Sequence, residues 1–204
     1  MHRRTVWMGA LAWAGAALGS GPQALAQAAQ DAQTPGGDLL EQMRRLQRSR
    51  QGAVLLLRHA STEPGLGDPP GFELSQCHTQ RNLSQAGRDQ ARALGAWFQR
   101  QGVPVQAVLS SQWCRCLDTA QLAFGRVQAW PALNSTFDGQ GQPEAQLREL
   151  RARLAGLREG TLEVWVTHQV IMTALTGAYP AMAEGFLLDG RAQLRARGMM
   201  SADV

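Results

Sequence analysis

Three short runs of branched apolar residues frame this chain. Ala53-Val54-Leu55-Leu56-Leu57 leads into Arg58-His59, Val105-Gln106-Ala107-Val108-Leu109 into Ser110-Ser111, and Leu162-Glu163-Val164-Trp165-Val166 into Thr167-His168. Apolar runs of this length and composition read as strands buried on both faces, the kind found in parallel sheets. Between them the apolar spacing lengthens to that of helices. Asp38 is placed to cap a helix with Leu39, Leu40, Met43 and Leu46 on one face, and Ser84 a second with Ala91, Leu94, Gly95 and Phe98, which stops near Gly102-Val103-Pro104. Trp113, Cys116, Leu117, Ala120 and Phe124 share a helical face over 112–124, as do Leu147, Leu150, Leu154 and Leu157 over 143–158. Segments 184–188 and 193–199, around Asp189-Gly190, predict a hairpin at the sheet's edge. Segment 61–81 has no such period and is rich in Gly and Pro; a loop of that length in a compact domain is usually functional.

Open parallel sheets bind ligands beyond the carboxyl ends of their strands. His59, His168, Arg58 and Arg115 are therefore expected at one edge, and their chemistry suits phosphate. Guanidinium groups clamp non-bridging oxygens in a two-point fork. A neutral imidazole attacks well and leaves well, so one histidine is expected to carry the phosphoryl group while the other, protonated, adds a third clamp. The arrangement requires no metal and no cofactor, and the sequence offers no carboxylate cluster to hold a metal. On the residues alone, the choice between the two histidines stays open.

The amino terminus changes the picture of where this chemistry takes place. Arg3-Arg4 precede an apolar stretch over 6–18, and Ala24-Leu25-Ala26 follows as a cleavage signature, so residues 1–26 are read as a signal peptide with a weak twin-arginine character. A bilayer-spanning helix needs roughly 20 apolar residues, more than this stretch has. The mature chain is thus expected to be periplasmic or secreted, with no integral membrane segment. Residues 27–37, rich in Gln and Ala, read as a disordered leader, and 38–204 as one domain. The net charge of +4 falls to +2 once Arg3 and Arg4 are removed, which gives little support to nucleic acid as a partner. Cys77, Cys114 and Cys116 are an odd count for an oxidising compartment: one disulfide and one free thiol. Cys116 sits on the apolar stripe, whereas Cys114 points away from it, which predicts a Cys77–Cys114 bridge. Their spacing with His78 matches no common zinc pattern.

Taken together, Leu57-Arg58-His59-Ala60, Leu83-Ser84 with Gly87, Leu109-Ser110-Ser111 with Arg115 and Thr119-Ala120, and Thr167-His168 resemble the histidine phosphatase superfamily, in its phosphoglycerate-mutase-like branch. The resemblance covers roughly residues 50–190. It implies a three-layer α/β/α sandwich with a mostly parallel central sheet. It further implies that His59 is the phosphorylated nucleophile, that Arg58, Arg115 and His168 hold the phosphate, and that Ser110 or Ser111 supports the pocket. Arg81 and Asn82, on a loop expected to cover the pocket, are candidates for substrate contact.

Two departures from the family pattern matter. Ala60 stands where many members have Gly, a mild change. Leu133-Asn134-Ser135 stands where mutases and many phosphatases read Leu-Asn-Glu, and serine cannot replace a carboxylic acid as proton donor. Asp138 and Glu63 are the substitutes considered. The reading is an exported, metal-independent phosphatase for small phosphorylated substrates, with envelope sugar phosphates as one class, acting on esters or anhydrides through phosphohistidine. The alternative is a catalytically weak protein of the same fold that recognises envelope phosphate groups.

Overall fold

The structure is a computed structural model that describes residues 38–200. The expected signal peptide and leader lie outside the described residues. Five helices, α1 (Leu39–Arg48), α2 (Gln85–Gln101), α3 (Cys114–Phe124), α4 (Pro143–Ala155) and α5 (Gln169–Thr176), flank one sheet. Its strands are β1 (Ala53–Arg58), β2 (Ala107–Ser110), β3 (Gln128–Ala129), β4 (Leu162–Thr167), β5 (Glu184–Asp189) and β6 (Leu194–Met199), in the order β3-β2-β4-β1-β5-β6. The first four run parallel; β5 and β6 are antiparallel to their neighbours. The fold is the expected α/β sandwich with a mostly parallel sheet.

Strand alternation accounts for the layers. Leu55, Leu57, Val164 and Val166 point to the face covered by α1, α2 and α3, where they meet Met43, Leu94, Phe98 and Ala120. Val54, Leu56 and Trp165 point to the other face and meet Leu150 and Leu154 of α4 and Ile171, Met172 and Leu175 of α5. The central runs lack polar alternation because both faces are covered.

The predicted caps form: Asp38 Oδ1 accepts from the Leu40 N–H, and Ser84 Oγ from the Gly87 N–H, at 3.2 and 3.1 Å. The hairpin forms at the sheet's edge as expected, with β5 paired to β1 through five residues and β6 outermost. Two expectations shift. The third helix starts at Cys114 instead of 112, because Trp113 takes extended backbone angles as its N-cap. The fourth ends at Ala155, where Gly156 receives the last turn, leaving Leu157 half-buried beyond it. Helix α5 and the two-residue β3 have too short a pattern to have been read from the sequence.

Candidate active site

Register brings the two histidines together. Strands β1 and β4 are adjacent, parallel and aligned so that Arg58 lies opposite Thr167. The next residues on each chain are His59 and His168, whose ring centroids are 5.5 Å apart. β2 flanks β4 on the other side, with Ser110 opposite Val166, so Ser111 and the start of α3 arrive at the same carboxyl edge. Ser111 Oγ lies 2.8 Å from His168 Nε2.

One hydrogen bond distinguishes the histidines. His59 Nδ1 is 2.9 Å from the carbonyl oxygen of Ala60, which can only accept, so Nδ1 carries the proton. In the neutral ring the lone pair is then on Nε2, the form a nucleophile needs. The backbone here is fixed from two sides. The Ala60 N–H donates to Thr119 Oγ1 at 3.0 Å, and that hydroxyl donates to the Arg115 carbonyl at 2.7 Å, tying the His59 segment to the helix that carries Arg115. Ser84 N–H and Oγ both donate to the Ser61 carbonyl, and a Cβ on Gly87 would lie 1.8 Å from that oxygen, so the first turn of α2 can sit there only with glycine at 87.

The long loop returns over α3. Cys77 and Cys114 are joined by a disulfide with Cα atoms 5.6 Å apart, and Cys116 is free and buried. The cavity at the strand ends has a volume of about 680 Å³ and is walled by Arg58, His59, Arg115 and His168, by loop residues including Asp68 and Arg81, and by Ser135, Phe137, Asp138 and Gln140. The loop comes close to this last group at Gly67, where a Cβ would lie 3.4 Å from the Phe137 ring. Arg58 Nη1 donates to the Pro180 carbonyl at 2.8 Å, and Arg81 Nη1 to Thr62 Oγ1 at 2.8 Å and to the Gly65 carbonyl at 2.9 Å. The Nε atoms of Arg58, Arg81 and Arg115 are buried and have no hydrogen-bond partner among the described residues. Three guanidinium groups converging with unspent donors suit a multiply charged oxyanion.

The remaining sequence candidates divide. Arg81 lines the cavity, whereas Asn82 donates through Nδ2 to the Cys77 carbonyl at 2.6 Å and braces the turn beside the disulfide. Ser110 is fully buried and donates to the Ser111 carbonyl, so it supports the pocket from behind. Asp138 is exposed at the cavity's rim; Glu63 is exposed on a separate outer groove and is not brought to the histidines. Sequence reasoning missed three contributors. Asn134 Oδ1 accepts from the Gln112 N–H and from Ser111 Oγ, at 2.8 and 3.2 Å. Trp113 packs edge-on against His168, with centroids 5.3 Å apart. Asp68 forms a bidentate pair with Arg115, at 2.6 and 3.1 Å. Asn134 had a signal, its place in the Leu-Asn-Ser segment; Asp68 reads locally as a turn residue.

The family model of the histidine phosphatase superfamily (branch 1) matches residues 54–154. The chain belongs to this superfamily. Among solved structures, the protein histidine phosphatase SixA, in complex with tungstate, is 17% identical; the match covers 74% of this chain and 97% of that one with a TM-score of 0.50. A proposed alpha-ribazole-5′-P phosphatase of Escherichia coli is 18% identical over 76% and 99%, with a TM-score of 0.54. TTHB049 from Thermus thermophilus is 19% identical over 72% and 99%, with a TM-score of 0.53. At these identities the likeness is one of fold. No curated protein sequence matches the chain.

Electrostatics in this histidine phosphatase site favour neutral imidazoles. Burial pushes His59 down to about 3, against the opposing hydrogen bond to Ala60 and with help from Arg115, Arg58 and Arg81. Burial, followed by His59 and the same guanidiniums, holds His168 well below the ordinary histidine range. Burial first, and then the neighbouring His59 and guanidiniums, thus disfavour the protonated second histidine that the sequence led us to expect. Burial pushes the Cys116 thiol up to about 12, so it is an inert neutral neighbour 3.5 Å from His168 Nε2.

A stability prediction follows from these signs. Below pH 6.5 the unfolded chain protonates both imidazoles while the folded chain resists it, so their contribution is complete above 6.5 and is lost as pH falls below it, down to about 3 in the case of His59. Each such histidine tilts the unfolding free energy by up to about 1.4 kcal/mol per pH unit in that window. Urea unfolding at pH 7, 6, 5 and 4 is expected to show this decline, and His168→Ala to shrink its slope. A slope unaltered in His168→Ala would contradict the buried neutral ring.

Proposed function

We propose that this chain is an exported phosphatase that hydrolyses phosphate esters or anhydrides through a phosphohistidine at His59, with guanidinium groups in place of a metal ion. The observation that carries this reading is the His59–Ala60 hydrogen bond, which leaves Nε2 as the lone-pair nitrogen of a buried, neutral ring in the same cavity as Arg58, Arg81 and Arg115. In the reaction, Nε2 attacks phosphorus as the bond to the ester oxygen breaks, and that oxygen takes up a proton. Water then attacks phosphorus as its bond to Nε2 breaks, releasing inorganic phosphate and restoring His59. The guanidiniums hold the non-bridging oxygens through both steps.

Export is supported by the Arg3-Arg4, apolar and Ala24-Leu25-Ala26 pattern and by the Cys77–Cys114 bridge, a bond that persists in oxidising compartments. The cavity is roomy for a lone phosphate, which suits a small phosphorylated metabolite such as an envelope sugar phosphate. Incubation with an aryl phosphate labelled at phosphorus, followed by an alkaline quench, is expected to label the peptide containing His59 with an acid-labile bond. Binding of inorganic phosphate without label or turnover across a panel of esters and anhydrides would instead support the phosphate-recognition alternative.

A further inference from the structure

We propose that Asp68 is the proton donor to the leaving group, released from Arg115 when the substrate's phosphate takes its place. The inference rests on the phosphatase reading above and addresses the gap that Ser135 leaves. Ser135 Oγ accepts from the Phe137 N–H at 3.2 Å and has no acid to give. Among the carboxylates walling the cavity, Asp138 is exposed at the rim, whereas the Asp68 side chain is only 5% exposed.

Asp68 is held by four donors. Arg115 Nη1 and Nη2 reach its two oxygens at 2.6 and 3.1 Å, Trp113 Nε1 donates at 2.9 Å and the Arg81 N–H at 2.9 Å. The carboxylate thus occupies both terminal nitrogens of a guanidinium whose remaining Nε–H is buried without a partner. A phosphate dianion that takes the Arg115 fork competes with Asp68 for the same donors. The groups facing Asp68 are Arg115, Trp113 and, further off, Cys116 on the α3 side, with Arg81 on its own loop. With Arg115 turned to phosphate, Asp68 keeps only Trp113 and the Arg81 backbone and gains a dianion as neighbour. Loss of an opposite charge and gain of a like charge both favour the protonated carboxyl.

The cycle closes chemically. Asp68 takes a proton from solvent, or from a substrate that arrives as the monoanion. It gives that proton to the ester oxygen as the phosphorus–oxygen bond breaks and the bond to His59 Nε2 forms. The resulting carboxylate accepts a proton from the water that attacks the phosphohistidine. When inorganic phosphate leaves, Asp68 loses that proton and returns to Arg115. The Cys77–Cys114 bridge keeps the loop anchored to the residue preceding Arg115, so Asp68 moves aside without leaving the cavity.

The test is kcat/KM for aryl phosphates with acidic leaving groups and for alkyl phosphates, on wild type, Asp68→Asn and Asp138→Asn. General acid catalysis typically contributes on the order of 10²–10⁴ in rate. Asp68→Asn is expected to lose that factor on alkyl phosphates and less than about 10-fold on aryl phosphates, where no proton is needed. With labelled aryl phosphate it is also expected to accumulate phosphohistidine, because the attacking water has lost its base. An equal loss on both substrate types overturns the proposal and leaves Asp68 as a positioning residue for Arg115. Selective loss in Asp138→Asn instead of Asp68→Asn overturns it too. Tungstate binding to wild type, followed calorimetrically in buffers of different ionisation enthalpy, is expected to show proton uptake that Asp68→Asn lacks. Absence of uptake in wild type overturns the proposal even if the variant does not fold. If wild type forms no phosphoenzyme with any substrate, the phosphatase reading itself fails, a result distinct from all of these.

Discussion

His59→Ala is expected to reduce phosphate-ester turnover by at least about 10⁴-fold and to abolish the labelled phosphoenzyme, since removing a covalent nucleophile costs on the order of 10⁴–10⁶ in kcat. The residue is 3% exposed, packed in the cavity wall between the Ala60 carbonyl and His168. Its loss orphans that carbonyl, which is worth about 1–3 kcal/mol of stability. The variant should therefore melt somewhat earlier yet remain folded, and circular dichroism should show intact secondary structure. His168→Ala is expected to retain a trace of label on His59. Turnover above a few per cent in His59→Ala, or label migrating to His168 in that variant, would assign the nucleophile to the wrong ring.

Arg115→Lys is expected to lower kcat/KM by about 10²–10³-fold, the scale of removing one donor to developing charge. Lysine keeps the charge but offers one point where the guanidinium offers a fork, and Asp68 uses both tines of that fork at rest. Arg115→Ala goes further. Both partners of the pair are buried, with side chains 5% exposed, and removing one leaves an uncompensated carboxylate at a cost of about 3–5 kcal/mol. The double variant Arg115→Ala, Asp68→Asn should recover most of that stability while recovering no activity. Urea unfolding and kcat/KM on the four proteins separate the two roles. If Arg115→Lys retained near-normal kcat/KM, Arg115 would be a structural partner of Asp68 instead of a phosphate clamp.

Much of the site was legible because its residues sit at the ends of strongly patterned elements. The apolar runs before Arg58-His59 and Thr167-His168 are strands, and a strand end in an open parallel sheet is a ligand edge whatever the order of the strands. Asp38 and Ser84 cap their helices through contacts two and three residues away, distances the sequence itself displays. Helical spacing also separated Cys116, on the buried stripe, from Cys114, which is bonded to Cys77.

What the sequence determined by itself was therefore local: the periods, the caps, the glycine at 87 and which side chains stand at the strand ends that form the candidate site. The tertiary structure decided what depends on contacts across long separations. It placed β5 against β1, so that the hairpin adjoins the site-bearing strand. It set the tautomer of His59 and lowered the pKa of both rings by burying them among Arg58, Arg81 and Arg115. It brought Asp68 to Arg115 across 47 positions of sequence, and left Glu63, five residues before Asp68, outside the cavity. In a loop without periodicity, neighbours in sequence follow no shared face, and only the closed chain fixes which carboxylate meets the guanidinium.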